Sequence, residues 1–323
     1  MKIYKYNLNL FFLSLLIIMP SAAVGENIRV VEYSLPSAGG STHEITPGPD
    51  GNLWISQQKT GKIIRLSTSG QVTEFLIGAE TGPHGLKFDN KGMLWATLEF
   101  SDEIIQLDLE GRIKQRFQIP MKGASPHGLG ISMNGDIWWT GKTADVIGHL
   151  DPNSGQMRLF PVGSAPAKPI YIAPGPDGNM WFTELEGSHI SRITPDGDIR
   201  RFDIPFKNAR PIVVFTGPMG RIWYTEERGN AYGTISTDGV FERFSTGVEN
   251  GLVAGAAFDN KGNIWVQFNT PDIIQKIDKY GNIITIAIPT KNSVQHRITL
   301  GGDNNMWITE LASDKVARII IDD

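Results

Sequence analysis

The sequence predicts an all-β chain, a seven-bladed β-propeller of four-stranded antiparallel blades, and three observations carry that expectation. First, tryptophan recurs at Trp54, Trp95, Trp138, Trp181, Trp223, Trp265 and Trp307, with spacings of 41, 43, 43, 42, 42 and 42 residues. A period near 40 to 45 residues is that of a propeller blade, and seven copies predict seven blades around a channel. Second, each tryptophan sits in the same four-strand sentence. It is fullest from Ile170 to Phe202, where a strand, the turn Pro176-Asp177-Gly178, the strand Met180 to Glu184, a glycine turn, the strand Ile190 to Thr194, the turn Pro195-Asp196-Gly197 and the strand Asp198 to Phe202 follow one another. Third, the last repeat stops at Asp323 after its third strand, while Ile28 to Leu35 forms a lone strand ahead of the first full unit. The N-terminal strand is therefore expected to complete the last blade and close the ring without a free sheet edge.

Composition agrees with this reading. The 36 glycines and 19 prolines among 323 residues suit a turn every ten residues or so, and 40% hydrophobic residues suffice for a large core. The tryptophans themselves are expected to fill the space between neighbouring sheets. The Asp-Gly pairs at Asp50, Asp177, Asp196 and Asp238 are explained by hairpin turns rather than by calcium.

Residues 1–25 stand apart and read as a secretory signal. Lys2 and Lys5 form a basic start, Phe11 to Met19 a short apolar run, and Pro20 to Gly25 a small-residue cleavage region. No later stretch approaches the roughly 20 apolar residues of a spanning helix. The expectation is an exported protein, periplasmic or secreted, with a single propeller over residues 26–323, no membrane span after cleavage, and a monomeric state. Cleavage removes two lysines and no acid from a chain of net charge −4, which argues against nucleic acid as a partner. The absence of cysteine excludes disulfides, thiolate metal sites and a cysteine nucleophile.

Candidate function is expected at one mouth of the channel. Eleven residues before each tryptophan, at the start of the innermost strand, stand His43, His84, His127, Ile170, Ile212, Ala254 and His296, four of the six histidines in the protein. Their blades are the seventh, first, second and third, so the imidazoles converge on one flank of one mouth. Three residues after each tryptophan stand Gln57, Leu98, Gly141, Glu184, Glu226, Phe268 and Glu310, and His296 is expected to neighbour Glu310. Imidazoles with a carboxylate can bind a divalent metal, exchange protons, or both. The competing reading is structural, with each ring of the Pro-His-Gly segments at Pro83 and Pro126 closing the strand start by bonding backbone carbonyls. His149 and His189 fall in third strands and are expected to be structural. No Gly-x-Ser-x-Gly elbow or phosphate loop is present.

The segments Ile45-Thr-Pro-Gly-Pro-Asp-Gly-Asn-Leu-Trp54 and Ile172-Ala-Pro-Gly-Pro-Asp-Gly-Asn-Met-Trp-Phe-Thr-Glu184 resemble the streptogramin lyase family, also called virginiamycin B lyases, and the resemblance spans nearly the whole mature chain. It implies a metal-dependent enzyme that opens a cyclic depsipeptide antibiotic at its ester by elimination, without water. It further implies a divalent cofactor, magnesium, and a histidine that removes a proton beside a carbonyl. On this resemblance His296 is the catalytic base, and His296 and Glu310 lie at the metal. The family's second metal-binding glutamate is replaced by Val294, and its substrate-contacting histidine of the sixth blade by Ala254. His43, His84 and His127 are then candidates for holding substrate or metal, and Arg210 and Tyr171 for holding substrate, a small molecule or cyclic peptide. The alternative is a non-catalytic exported propeller that binds a small ligand, glycan, peptide or protein across the same mouth. A calcium lactonase would need a Glu, Asn and Asp cage that these mouth positions lack.

Overall fold

The structure is a computed structural model that describes residues 27–163 and 166–322. The signal segment expected over residues 1–25 lies outside the described residues. Seven separate four-stranded antiparallel sheets follow one another around the molecule. Their innermost strands are Thr42–Pro47, Pro83–Phe88, Pro126–Ile131, Pro169–Pro174, Pro211–Thr216, Leu252–Phe258 and Gln295–Leu300. In each of six blades four consecutive strands pair in chain order.

The seventh blade is the exception and closes the ring. Its sheet runs from the inner strand Gln295–Leu300 through Met306–Glu310 and Lys315–Asp322 to the N-terminal strand Asn27–Ser34. Eight residue pairs join the two ends of the chain, from Asn27 opposite Asp322 to Ser34 opposite Lys315. Tyr33 stacks on Trp307 with ring centroids 5.5 Å apart.

The repeated tryptophan packs between neighbouring blades, buried at six positions and half-buried at Trp223, where it fills the gap that diverging sheets leave. Its indole N–H needs a partner there, and in five blades the aspartate of the preceding turn accepts it: Asp50, Asp89, Asp177, Asp259 and Asp303. The turn aspartates thus serve the core as well as the hairpin. His149 and His189 lie in third strands, as expected, paired with Asp136 at 2.8 Å and with Asp203 at 2.9 Å.

One irregularity controls everything at the channel mouth. All seven inner strands carry a register shift near their start, and in each the second-strand residue three past the tryptophan pairs with the residue just before the ring position. The extra residue is a β-bulge, which bends the strand and re-aims the side chains around it. A hydroxyl two residues after the tryptophan fastens the bulge. Ser56, Thr97, Thr140, Thr183, Thr225 and Thr309 each accept the backbone N–H that follows their own blade's ring residue. All of these except Thr140 also donate to the carbonyl of the next blade's ring residue, His84, His127, Ile212, Ala254 and His43 in turn.

Candidate functional site: the histidine mouth

The four histidines do converge. His43 lies 4.5 Å from His84 and 4.8 Å from His296 between ring centroids, and His84 lies 3.7 Å from His127. The remaining flank, from the fourth to the sixth blade, is built of buried Ile170, Ile212 and Ala254. The mouth is therefore imidazole on one side and apolar on the other. Close approach of the inner strands depends on glycine: a Cβ on Gly85 would stand 2.6 Å from the His127 carbonyl oxygen, and one on Gly128 2.4 Å from that of Ile170. This is the physical content of the Pro-His-Gly segments.

The rings are not equivalent. His127 Nδ1 bonds the Ile170 carbonyl at 2.9 Å, the backbone-closing role that the structural reading expected. His84 does nothing of the kind: it is 1% exposed, and neither ring nitrogen has a partner. His43 Nε2 meets Ser41 Oγ at 3.2 Å while its Nδ1 is buried without a hydrogen bond of good geometry, Gln58 standing beside the ring, and His296 Nε2 is buried with no partner among the described residues. Burial pushes all four pKa values down, that of His43 to about 3; Arg297 adds to every shift, and Lys142 to those of His43, His127 and His296. The cluster is held neutral at neutral pH, the form in which an imidazole accepts a proton or binds a metal.

Glu99 borders the ring and was not anticipated from the sequence. Its carboxylate accepts from Gln58 at 2.5 Å and from Ser125 at 3.0 Å, and pairs with Lys142 at 3.3 Å. Two groups bring ligand atoms within 4.8 Å of one another: His43 with His84 and His296, and His84 with Glu99 and His127. Glu99 stands four residues after Trp95, and that fixed offset is the signal that would have found it.

Glu310 is not brought into either group. The bulge sets Gln295, not His296, opposite Glu310. The carboxylate is buried within its own blade, where Ser313 donates to it at 2.8 Å. The equivalent Glu184 and Glu226 behave alike, meeting Arg201 and Arg243. In the seventh blade the strand that closes the ring supplies Glu32 at the position of those arginines. Burial, with Glu32 nearby, pushes the Glu310 pKa up to about 7, against opposing contributions from Ser313 and Lys315. Because the native carboxyl binds its proton more tightly than the unfolded one, the associated stability is complete below about pH 4.5 and is lost as pH rises through 7. Glu310→Gln is accordingly expected to raise stability by about 2 kcal/mol at pH 8 and to change it little at pH 4.5, as read by urea unfolding.

Tyr171 and Arg210 also stand apart from the histidines. Tyr171 is the residue after the ring position and faces further down the channel. There Arg297 lies over its ring at 5.2 Å and Lys87 at 5.9 Å, and Arg297 pairs with buried Glu44 at 3.4 Å. Tyr171, Lys87 and Arg297 border a cavity of about 360 Å3 near the far ends of the inner strands. Arg210 is at the rim but already engaged, with Glu227 at 2.6 Å and Glu186 at 3.9 Å.

Comparison with known proteins decides the family. The profile of the virginiamycin B lyase family matches residues 21–270 and 115–323. The chain belongs to the virginiamycin B lyase family. No curated protein sequence matches it. Among solved structures, a streptogramin B lyase superimposes with a TM-score of 0.87 at 27% identity, covering 92% of this chain and 98% of the other. Virginiamycin B lyase from Staphylococcus aureus gives 0.85 at 25% identity, with 92% and 100% covered, and so does a catalytically inactive histidine-to-alanine variant of it with quinupristin. More distant propellers at 11–16% identity share the fold alone.

Virginiamycin B lyases use a divalent metal, and this chain holds histidine and glutamate groups able to take one. The residues do not fit the magnesium arrangement, however. Magnesium demands oxygen ligands in octahedral array. One of the two carboxylate positions is Val294, and the other, Glu310, is turned into its blade toward Ser313.

Proposed function

We propose that the chain is an exported carbon-oxygen lyase that opens an ester-linked cyclic peptide at the histidine mouth, with His296 as the base. The observation that carries this reading is the state of His296: a desolvated, neutral imidazole at the start of the last blade's inner strand, with a buried ring nitrogen that has no partner among the described residues. Family membership supplies the reaction class, and the lysine-rich start and apolar run of residues 2–19 support export.

In this reaction the imidazole takes the proton from the carbon beside a carbonyl. The electron pair left behind forms a double bond to the adjacent carbon, and the bond from that carbon to the ester oxygen breaks, releasing a carboxylate. Atoms balance without water, so the ring opens at constant mass. Negative charge develops on the carbonyl oxygen as the proton leaves, and Lys142 and Arg297, the cations that depress the His296 pKa, supply opposing charge. The apolar flank of Ile170, Ile212 and Ala254 suits the hydrophobic side chains of a cyclic peptide.

Mass spectrometry of a type B streptogramin incubated with the mature protein tests the reading. A linear product of unchanged mass supports it. A product heavier by one water would make the protein a hydrolase, and intact antibiotic would leave the binding propeller, which Val294 and Ala254 favour.

A further inference from the structure

The strangest feature of the mouth is electrostatic waste. Buried polar atoms in folded proteins almost always find partners, and each exception needs a cause. Here both nitrogens of His84 and Nε2 of His296 are sealed from solvent with no partner among the described residues, and His43 beside them has a buried Nδ1 without a hydrogen bond of good geometry. We propose that His43, His84 and His296 form a three-imidazole site for a borderline-soft divalent transition metal ion, with zinc as the representative, and that it takes no magnesium.

The geometry is close to what such an ion needs. Zinc binds imidazole nitrogen at about 2.0 to 2.1 Å in a tetrahedron, which places ligand nitrogens about 3.4 Å apart. The three rings already offer nitrogens within 4.8 Å of one another, so side-chain rotation of an ångström or so completes the contraction. Three protein ligands leave a fourth tetrahedral position without a protein ligand, as in catalytic zinc sites. The ligands are also oriented from behind. Ser41 engages His43 Nε2, which leaves Nδ1 as that ring's ligand atom, and Ser56 and Thr309 fix the strand segments that carry the rings by donating to the backbone carbonyls of His84 and His43. Burial keeps the rings unprotonated, the state a metal requires. An all-nitrogen set selects against magnesium, which is satisfied by carboxylate and water oxygens. The neighbouring set of His84, Glu99 and His127 is the weaker candidate, because Glu99 already holds Gln58, Ser125 and Lys142 and His127 already holds a carbonyl.

The inference goes beyond the lyase reading, and its test does not rest on it. A bound ion would occupy the lone pair that His296 needs as a base, so zinc is expected to inhibit elimination rather than support it.

The test is calorimetric titration of the tag-free mature chain, stripped with chelator, with zinc and separately with magnesium. One equivalent of zinc is expected to bind, with no heat from magnesium. His43→Ala and His296→Ala are each expected to weaken zinc by at least about 100-fold, more than the loss of a supporting hydrogen bond would. Cobalt in the unaltered protein is expected to give the intense visible absorption of a tetrahedral site, a readout that survives if His84→Ala fails to fold. Absence of zinc binding would overturn the proposal, as would equal binding of magnesium. Full binding in His43→Ala and His296→Ala with loss in Glu99→Gln would overturn it too, by moving the ion to the other set. All of these are read without substrate, so failure of the lyase assay leaves them standing.

Discussion

Deleting residues 27–34 is expected to abolish cooperative folding. That segment is the outer strand of the seventh blade, and its eight pairs with residues 315–322 are what joins the two ends of the chain. Without it the strand Lys315–Asp322 becomes an open edge, and Trp307 loses the ring of Tyr33 stacked on it. Glu32, which binds Thr290 and Lys315, leaves with the strand. About 1.5–3 kcal/mol for each large side chain uncovered, and about 1 kcal/mol for each ladder hydrogen bond, sum to the scale of a whole domain's stability. Thermal unfolding followed by circular dichroism, with light scattering in parallel, should show a broad, low transition and self-association through the new edge. A monomer with a sharp transition within a few degrees of the intact protein would mean that ring closure does not hold the fold.

Mild acid should unfold the protein well before its carboxylates protonate. Four histidines with native pKa values far below 6.5 remain neutral in the fold but take up protons in the unfolded chain. Their stabilising contribution is therefore complete above about pH 6.5 and is lost as pH falls toward the native values, about 3 for His43. Glu310 opposes them, since its raised pKa favours the native state as pH drops below 7. His189, whose pKa is raised, is protonated in both states below pH 6.5 and drops out. The net is about three protons, or about 4 kcal/mol per pH unit at most, against a typical total of about 5–15 kcal/mol. In chelator-containing buffer the midpoint of thermal unfolding should fall steeply between pH 6.5 and 5, and His84→Asn with His127→Asn should flatten that slope. A midpoint independent of pH over this window would show that the native cluster takes up protons as readily as the unfolded chain.

The seven-fold architecture was legible because it is written in phase. Trp54 to Trp307 mark one position of every blade, and the complementary fragments at the two ends of the sequence marked the closure. The histidine ring was legible for the same reason, since His43, His84, His127 and His296 share one offset from their tryptophans. What phase does not carry is the direction in which a side chain points. The bulge at the start of each inner strand adds a residue, and with it Glu310 moves to face Gln295 rather than His296, and Tyr171 turns down the channel beside Arg297. The ion pairs of Arg210 were hidden for a different reason: its partners Glu186 and Glu227 come from loops of two blades, a pairing that only the closed ring creates. The hydroxyl ring from Ser56 to Thr309 was in plain view two residues after each tryptophan, and its role emerges only once the bulge gives it an N–H to accept.

The claim at the centre of this account is that His296 is the base of a ring-opening elimination. The most direct test is the turnover of a type B streptogramin by His296→Ala against the unaltered protein, with circular dichroism to show that both are folded. Loss of a positioned proton acceptor predicts a rate lower by about 10²–10⁴-fold at unchanged fold. A folded His296→Ala protein that turns over at the original rate would contradict the account and move the chemistry away from the histidine mouth.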